Sequence, residues 1–369
     1  MDRKSLVMFP LCKRAHKLNI NEIAVDPSSK PPELSKNLEK LLDRTVEKIV
    51  SARKSNSSVM LTYGAHLIKN GLAPVVNWLI EDGWITHIAT NGAGSIHDWE
   101  FAYLGLSTES VRDNTARGCF GTWEETGRNI NLAIALGGID DLGYGESVGR
   151  MIGQDGYSIP SPEVLRHLLR QMADEDKITE KAAAIADMLQ LISEFDLAPG
   201  WHNIEHQYKE YSVQYTAWQY NVPFTVHPGI GYDIIYTHPL NSGGAIGRGA
   251  VRDFLSYTNS VANLSGGVHL AVGSAVMAPM IFEKSLSMAN NLSIKETNEP
   301  LKDYYLAVVD IQDGGDWDWT QGEPPMDHPA YYLRFCKSFY RMGGMLDYIC
   351  LDNRAFMLNL VSRLRTVEF

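Results

Sequence analysis

Apolar and polar positions along this chain change period repeatedly, between a helical repeat and short apolar runs. PPELSKNLEKLLDRTVEKIVSARKS carries apolar residues at helical spacing, with Pro32 or Ser35 near its start, and predicts a helix. SSVMLTYGA then reads as a short strand running into small residues. LAPVVNWLIEDGW reads as a helix, ITHIATNGAG as a strand plus a glycine turn, and DWEFAYLG as a reopened helix. Strand, turn, helix, strand, turn and helix within about forty residues is the spacing of βαβ units with parallel strands. Two successive strands end in small-residue turns, TYGAH and TNGAGS. Ligands of open α/β sheets bind at such turns, outside the carboxyl ends of strands. Backbone N–H groups at the start of the following helix favour anionic groups such as a pyrophosphate.

Residues 119–158 are glycine-dense. GYGESVG there has a dinucleotide-like glycine spacing without a clear preceding strand, and reads as a loop. Helices are expected over 161–195, and another over PGWHNIEHQYKEYSVQYTAWQYN. Alternation then returns. VPFTVHPG, GGVHLAVGS, DYYLAVVDIQ and MLDYICLD read as strands. IGRGAVRDFLSYTNSVANL, PMIFEKSLSMANNL, PAYYLRFCKSF and the C-terminal stretch read as the helices between and after them. The expected fold is α/β: a Rossmann-like, doubly wound, mostly parallel sheet with helical additions. Residues 1–50 form an N-terminal arm and helix, and 51–369 a single α/β domain, since no Pro/Ser linker or repeat divides it.

Composition narrows the function classes. The chain is 44% hydrophobic and 21% charged, which excludes disorder, and its net charge of -11 disfavours nucleic acid while attracting cations. No apolar run reaches the length of a membrane span. The opening MDRKSLVMFPLCKRAHKLNI has no signal-like core, so a soluble cytoplasmic protein is expected. Cys12, Cys119, Cys336 and Cys350 form no C-x-x-C pair and read as scattered thiols.

Several blocks, taken in order from about residue 61 to 361, resemble deoxyhypusine synthase, a parallel-sheet, NAD-binding, homotetrameric family. TYGAHLIKNGL is similar to its early cofactor loop, ATNGAGSIHDWE to its Thr-Ala-Gly-Gly turn and following acids, and HPGIGYDIIYTHPLNSGG to its glycine loop, aspartate and His…Asn. VGSAVMAPMI stands at its glycine-rich strand end, DGGDWDW at its polyamine loop, and YICLDNRAFMLNLV at its closing strand. The resemblance implies NAD as cofactor, held by Gly64, Ala65, His66, Asn91, Gly92, Ala93, Gly94, Asp98, Gly273, Ser274 and Asp352. It also implies a small-molecule amine substrate and a homo-oligomer, a tetramer in that family's manner. Departures are specific. Arg334 stands near the family's catalytic lysine, with Lys337 one turn on, and arginine makes no Schiff base. Ala278 and Pro279 stand where the family has a histidine base, Ala65–His66 replaces Ser-Asn, and Pro228 replaces an aspartate. Modification of a protein lysine is therefore not expected.

The individual residues carry two readings each. Asp233 is a carboxylate for a substrate ammonium, or an aspartate ordering its own turn at the head of an apolar strand. His238 is the remaining proton acceptor and Asn241 its neighbour, or the two are a subunit contact and a turn. Asp313, Asp316, Asp318 and Glu323, interleaved with Trp317 and Trp319, are the chemistry of an alkylammonium site, or a solvated acidic loop. His202 and His206 share helical spacing, but without H-E-x-x-H or a third ligand no metal is expected. Glu124 and Glu125 reach a pocket or begin a helix. The chain thus reads as an NAD-dependent enzyme acting on an amine, polyamine or related small cation. The alternatives are a non-catalytic NAD or polyamine binder and, more remotely, a metal-dependent hydrolase.

Overall fold

The computed structural model describes residues 1–173 and 179–367. Residues 174–178 of the expected helical stretch, and the last two of the 51–369 domain, lie outside them. A six-stranded, fully parallel sheet forms the centre. Its strands are β1 (Val59–Tyr63), β2 (His87–Thr90), β3 (Phe224–Val226), β4 (Val268–Val272), β5 (Tyr305–Asp310) and β6 (Met345–Cys350). The spatial order β6-β5-β4-β1-β2-β3 runs outward from β1 and then reverses at β4. This is the dinucleotide-fold order, with its switch point between β1 and β4.

Both faces are covered, which explains why β1 and β4, apolar apart from Thr62 and His269, are buried at every position. Leu61, Tyr63, Leu270 and Val272 point into the larger core, packed with helices α1 (Lys36–Lys54) and α2 (Gly92–Leu104). Met60, Ala89, Ala271 and Val308 point the other way. They meet Tyr257 of the helix Gly243–Ala262 and Phe282 of the helix Met277–Thr297. Ser35 caps α1 by accepting from the Leu38 N–H at 3.4 Å.

One crossover is greatly enlarged. Among the described residues, α2, α3 (Glu124–Gly137), α4 (Tyr144–Gln154), three further α-helices and α5 (Val213–Gln219) lie between β2 and β3. GYGESVG, expected as a loop, is therefore helical from Tyr144 onward. Gly145, Gly149 and Gly153 recur every fourth residue along α4, so they form one stripe. A Cβ at each would strike the Phe224 carbonyl, the Gln214 carbonyl and the Trp218 ring respectively. These glycines permit close packing against β3 and α5 rather than breaking the helix. The helix expected from residue 199 onward is corrected too. Gly200–Asn203 is a strand antiparallel to Gly156–Ile159, followed by a 3-10 turn at Lys209–Tyr211 and then α5. Beyond β3 come α6 (Gly243–Ala262), α7 (Met277–Thr297) and, after β6, α8 (Asn353–Leu364).

The N-terminal arm is not a free extension. Leu11, Ile20 and Val25 are buried in the main core, and Leu18–Asn19 pairs antiparallel with Leu106–Ser107. Arg14 reaches Glu100 of α2 through two bonds of 2.7 and 2.6 Å, and Glu125 accepts from the Leu11 N–H at 2.6 Å. Among the described residues no helix is long and apolar enough to cross a membrane.

Candidate functional site

A cleft of about 510 Å³ opens at the switch point, over the carboxyl ends of β1, β2, β3 and β4. Gly64, Asn91, Gly92, Ala93, Asp233, Gly273 and Ser274 all line it. Residues expected from four separate stretches are thus brought together. The backbone chemistry explains why these are small. A Cβ at Gly64 would strike the carbonyl of Gly273, so the turns after β1 and β4 cross main chain to main chain. Gly273 itself has φ +59°, a conformation that glycine adopts freely. The expected glycine turn after β2 is in fact the first turn of α2. Asn91 caps it by accepting from the Gly94 N–H at 2.8 Å. Among the described residues, the N–H groups of Gly92 and Ala93 are left without a partner.

Asp233 is the charged group of the cleft. It begins a 3-10 turn, Ile234–Thr237, rather than the expected apolar strand, and its Oδ1 accepts from the Ile235 N–H at 3.2 Å. Its Oδ2 is buried without a partner. Burial raises the carboxyl to about 6, against the pull of that backbone bond. The buried hydroxyl of Tyr236 is likewise unpartnered, whereas Tyr144 has Ser95 beside it, and both tyrosines lie near enough to feel the Asp233 charge. An unpaired buried carboxylate is costly, and a cation beside it relieves the cost.

His227 also lines this cleft, and the sequence reading passed over it. Its Nε2 meets the Thr225 hydroxyl at 3.0 Å, and the same hydroxyl meets His87 Nε2 at 3.0 Å. The available signal was position: His227 directly follows a parallel strand, where ligand-contacting residues gather. Tyr144 gives no such signal, because GYGESVG reads as a loop rather than as the helix α4.

The remaining expected residues lie elsewhere. His66 is exposed and Ala65 half-buried on the turn after β1, and neither lines the cleft. Asp98 is fully buried and binds the start of α5, accepting from Ser212 Oγ at 2.5 Å and the Val213 N–H at 2.8 Å. Asp352 caps α8 through the Arg354 and Ala355 N–H groups at the sheet's far edge. His238 is 4% exposed with both ring nitrogens engaged, Nε2 on Glu124 at 3.1 Å and Nδ1 accepting from the Leu240 N–H at 3.2 Å. Asn241 bonds Asn131 and receives Arg3 at 3.0 Å, tying down the arm. His238 and Asn241 are therefore held in internal bonds, and the cleft does not include them.

The acidic loop builds its own cleft, about 730 Å³, against α1 and the edge strand β6. Asp316, Trp317 and Asp318 line it together with Asp347 and Tyr348, and it shares no residue with the switch-point cleft. Asp313 accepts from the Gly315 N–H, Asp318 from the Thr320 N–H, and Glu323 is held by Arg341 at 2.5 and 2.9 Å. Asp316 is exposed. Trp317 is half-buried, its indole donating to the Gly322 carbonyl at 2.9 Å. His202 lies on the ribbon strand and His206 is buried beyond it against Trp99 and Tyr103, so the two do not share a helical face. Among the described residues no group of three or more His, Cys, Asp or Glu is arranged to hold a metal.

The sequence matches no protein-family model and no curated protein. Solved structures similar to it include ArgZ, an arginine dihydrolase from the ornithine-ammonia cycle in cyanobacteria, at 15% identity and TM-score 0.42. That alignment covers 89% of this chain and 33% of that one. The complex of AgrE with ornithine and NAD+ is 12% identical with TM-score 0.41, over 90% and 33% of the two chains. A putative deoxyhypusine synthase from Entamoeba histolytica is 9% identical with TM-score 0.40, over 90% of each chain. The chain therefore spans about a third of the length of ArgZ and AgrE. These likenesses do not bear on the chemistry of its site.

Proposed function

We propose that the protein is an NAD-dependent enzyme acting on an amine or a related small cation, with both reactants in the switch-point cleft. One observation carries the reading: Asp233, whose Oδ2 is buried and unpartnered, lines a cleft that opens over glycine turns. The turns fit a dinucleotide. Gly64 and Gly273 leave the cleft floor free of side chains for the dinucleotide, their N–H groups being held by the Val272 and Val309 carbonyls, and the Ser274 hydroxyl would donate to the diphosphate. Asp233 lies over Gly92, where its charge opposes a phosphate and favours an ammonium. When bound, NAD supplies a hydride acceptor. The chain's own residues bind and orient the amine through Asp233. Arg334 is exposed and lines neither this cleft nor that of the acidic loop, so no covalent step is assigned to it.

Calorimetry of NAD, and then of spermidine and L-ornithine in the presence of NAD, tests the reading in wild type and Asp233→Asn. Loss of one partner from a desolvated charge pair weakens amine binding by roughly 30-fold or more. NAD binding is expected to survive. Equal amine affinity in the two proteins overturns the reading.

Self-association belongs to the same proposal. The N-terminal arm does not supply its surface, because Leu11, Ile20 and Val25 are buried in their own chain. Val251 and Leu255 on α6, and Met288 and Leu292 on α7, are exposed apolar residues on two packed helices, and they support a second copy as the cover.

A further inference from the structure

A file of polar side chains crosses the sheet on its α6–α7 face. His87 opens β2, Thr225 is the middle residue of β3, and His227 lies just past its end. His87 is 0% exposed and Thr225 1%. Thr225 Oγ1 lies 3.0 Å from His227 Nε2 and 3.0 Å from His87 Nε2, and His87 Nδ1 lies 2.8 Å from Ser260 Oγ on α6. Ser260 is half-buried, whereas His227 opens into the cleft. One end of the file thus meets the ligand space and the other approaches solvent.

The geometry points to His227 as the group that accepts a proton from a ligand in the cleft, with Thr225, His87 and Ser260 as the path by which a proton leaves at the opposite end of the sheet. This inference rests on the proposed reaction in that cleft.

The hydrogen count dictates the path. Thr225 has one hydroxyl proton and three neighbours able to take it: His227 Nε2, His87 Nε2 and, at 3.3 Å, the Ile88 carbonyl. At least one imidazole must therefore donate to the hydroxyl oxygen. In the receptive state His227 carries its proton on Nε2 and donates to Thr225. Thr225 donates to His87 Nε2, and His87 Nδ1–H donates to Ser260. His227 Nδ1 then faces the cleft with a free lone pair. When it gains a proton, the Nε2 proton moves to Thr225 Oγ1 and the Thr225 proton to His87 Nε2. The His87 Nδ1 proton passes to Ser260, whose own proton leaves to water. One proton enters and one leaves, and each ring ends neutral in its other tautomer.

Neutrality matters here. Burial holds both imidazoles down to about 3, His87 further lowered by its neighbouring histidines, so a lone imidazolium is disfavoured in this place. The path removes that obstacle. Other titratable groups around it are Tyr257 and Asp253 from α6, His269 from β4, and Asp233 across the cleft. Tyr257 donates toward His269 Nε2 at 2.9 Å and Asp253 accepts from the Val226 N–H at 2.7 Å, so neither bonds the file. His238, with both nitrogens engaged, has no comparable opening.

Nitrogen-15 NMR of histidine-labelled full chain tests the path without a substrate. In wild type both rings should stay neutral down to pH of about 5, each in a defined tautomer. Thr225→Val keeps the shape and removes the hydroxyl, and should shift the tautomers of His87 and His227 together. Thr225→Ser should restore the wild-type pattern, and Ser260→Ala should change His87 even if the valine variant folds poorly. Unchanged tautomers in Thr225→Val and Ser260→Ala, or a His227 that charges near its ordinary pKa while His87 does not respond, overturn the inference. The kinetic arm follows NAD reduction with spermidine and L-ornithine as probes. Thr225→Val should lower kcat by about 100-fold, with calorimetric NAD affinity unchanged. A full kcat in a folded Thr225→Val also overturns it. If wild-type protein reduces no NAD with either amine, the proposed function fails, and the NMR arm alone decides the path.

Discussion

The carboxyl of Asp233 lies over Gly92 so closely that a Cβ on Gly92 would collide with Oδ2. The acid at the centre of the cleft and the first residue of α2 are therefore fitted to each other across more than a third of the chain. Gly92→Ala should leave the fold intact, because alanine favours a helix by about 1 kcal/mol over glycine and the colliding atom ends a rotatable side chain. Asp233 must then swing away. Amine affinity should fall by roughly tenfold, a cost of about 1.4 kcal/mol, as measured by calorimetry.

Protonation of Asp233 gives a second test. Its folded pKa, about 6, lies above the ordinary value of 3.8, so the folded state binds more protons between these values. Its contribution to stability is full below the lower value and is lost as pH rises through the upper, at most ~3 kcal/mol for a shift of this size. Asp233→Asn should therefore be more stable than wild type at neutral pH by thermal denaturation, while binding amine less well. Amine affinity in wild type should fall by about tenfold per pH unit below the folded pKa, because the carboxylate is what binds.

The acidic loop should behave differently. Asp316 is exposed, so Asp316→Asn should change amine affinity by roughly 1 kcal/mol or less, an effect that fades with added salt. Calorimetry at two ionic strengths distinguishes this from the larger, salt-insensitive loss in Asp233→Asn.

Arg14 and Glu100 form a pair whose side chains are 2% and 1% exposed, and Thr126 and Ser107 also donate to the carboxylate. Burial alone would raise the Glu100 pKa, but the Arg14 guanidinium outweighs it and the carboxyl is lowered. Its stabilising share is present above the ordinary glutamate pKa and is lost as pH falls through the folded value. Arg14→Met strands the carboxylate and should cost about 3–5 kcal/mol. Limited proteolysis should then cut first within the N-terminal arm.

Leu255→Glu with Leu292→Glu should shift sedimentation toward the monomer, since both residues are exposed and apolar on adjoining helices. A wild-type monomer at micromolar concentration would remove this expectation.

The alternating strands and helices were legible because each is a local pattern. Short apolar runs ending in small residues marked β1, β2 and β4, and helical spacing marked α1 and α6. Where glycine was read as a breaker, in α4, the reading failed, because Gly145, Gly149 and Gly153 answer to the carbonyl of Phe224, the carbonyl of Gln214 and the ring of Trp218. Nothing in the local sequence announces those partners. Asp98 and His238 misled for the same reason: a polar residue near a glycine turn looks alike whether it faces a ligand or the start of α5.

By itself, then, the sequence determined the α/β class, the parallel sheet and the cleft-forming turns, since apolar period and small residues act over a few neighbouring positions. Tertiary structure alone decided which polar groups share a space. It placed Asp233 and His227 in one cleft, moved the acidic loop to another, and enclosed His238 and Asp98. Those outcomes depend on strand order and on packing between residues more than a hundred positions apart, as where Asp98 holds the N–H of Val213. Burial then set the chemistry, raising the Asp233 carboxyl and lowering His227, because the loss of water acts on a folded site and not on a residue type.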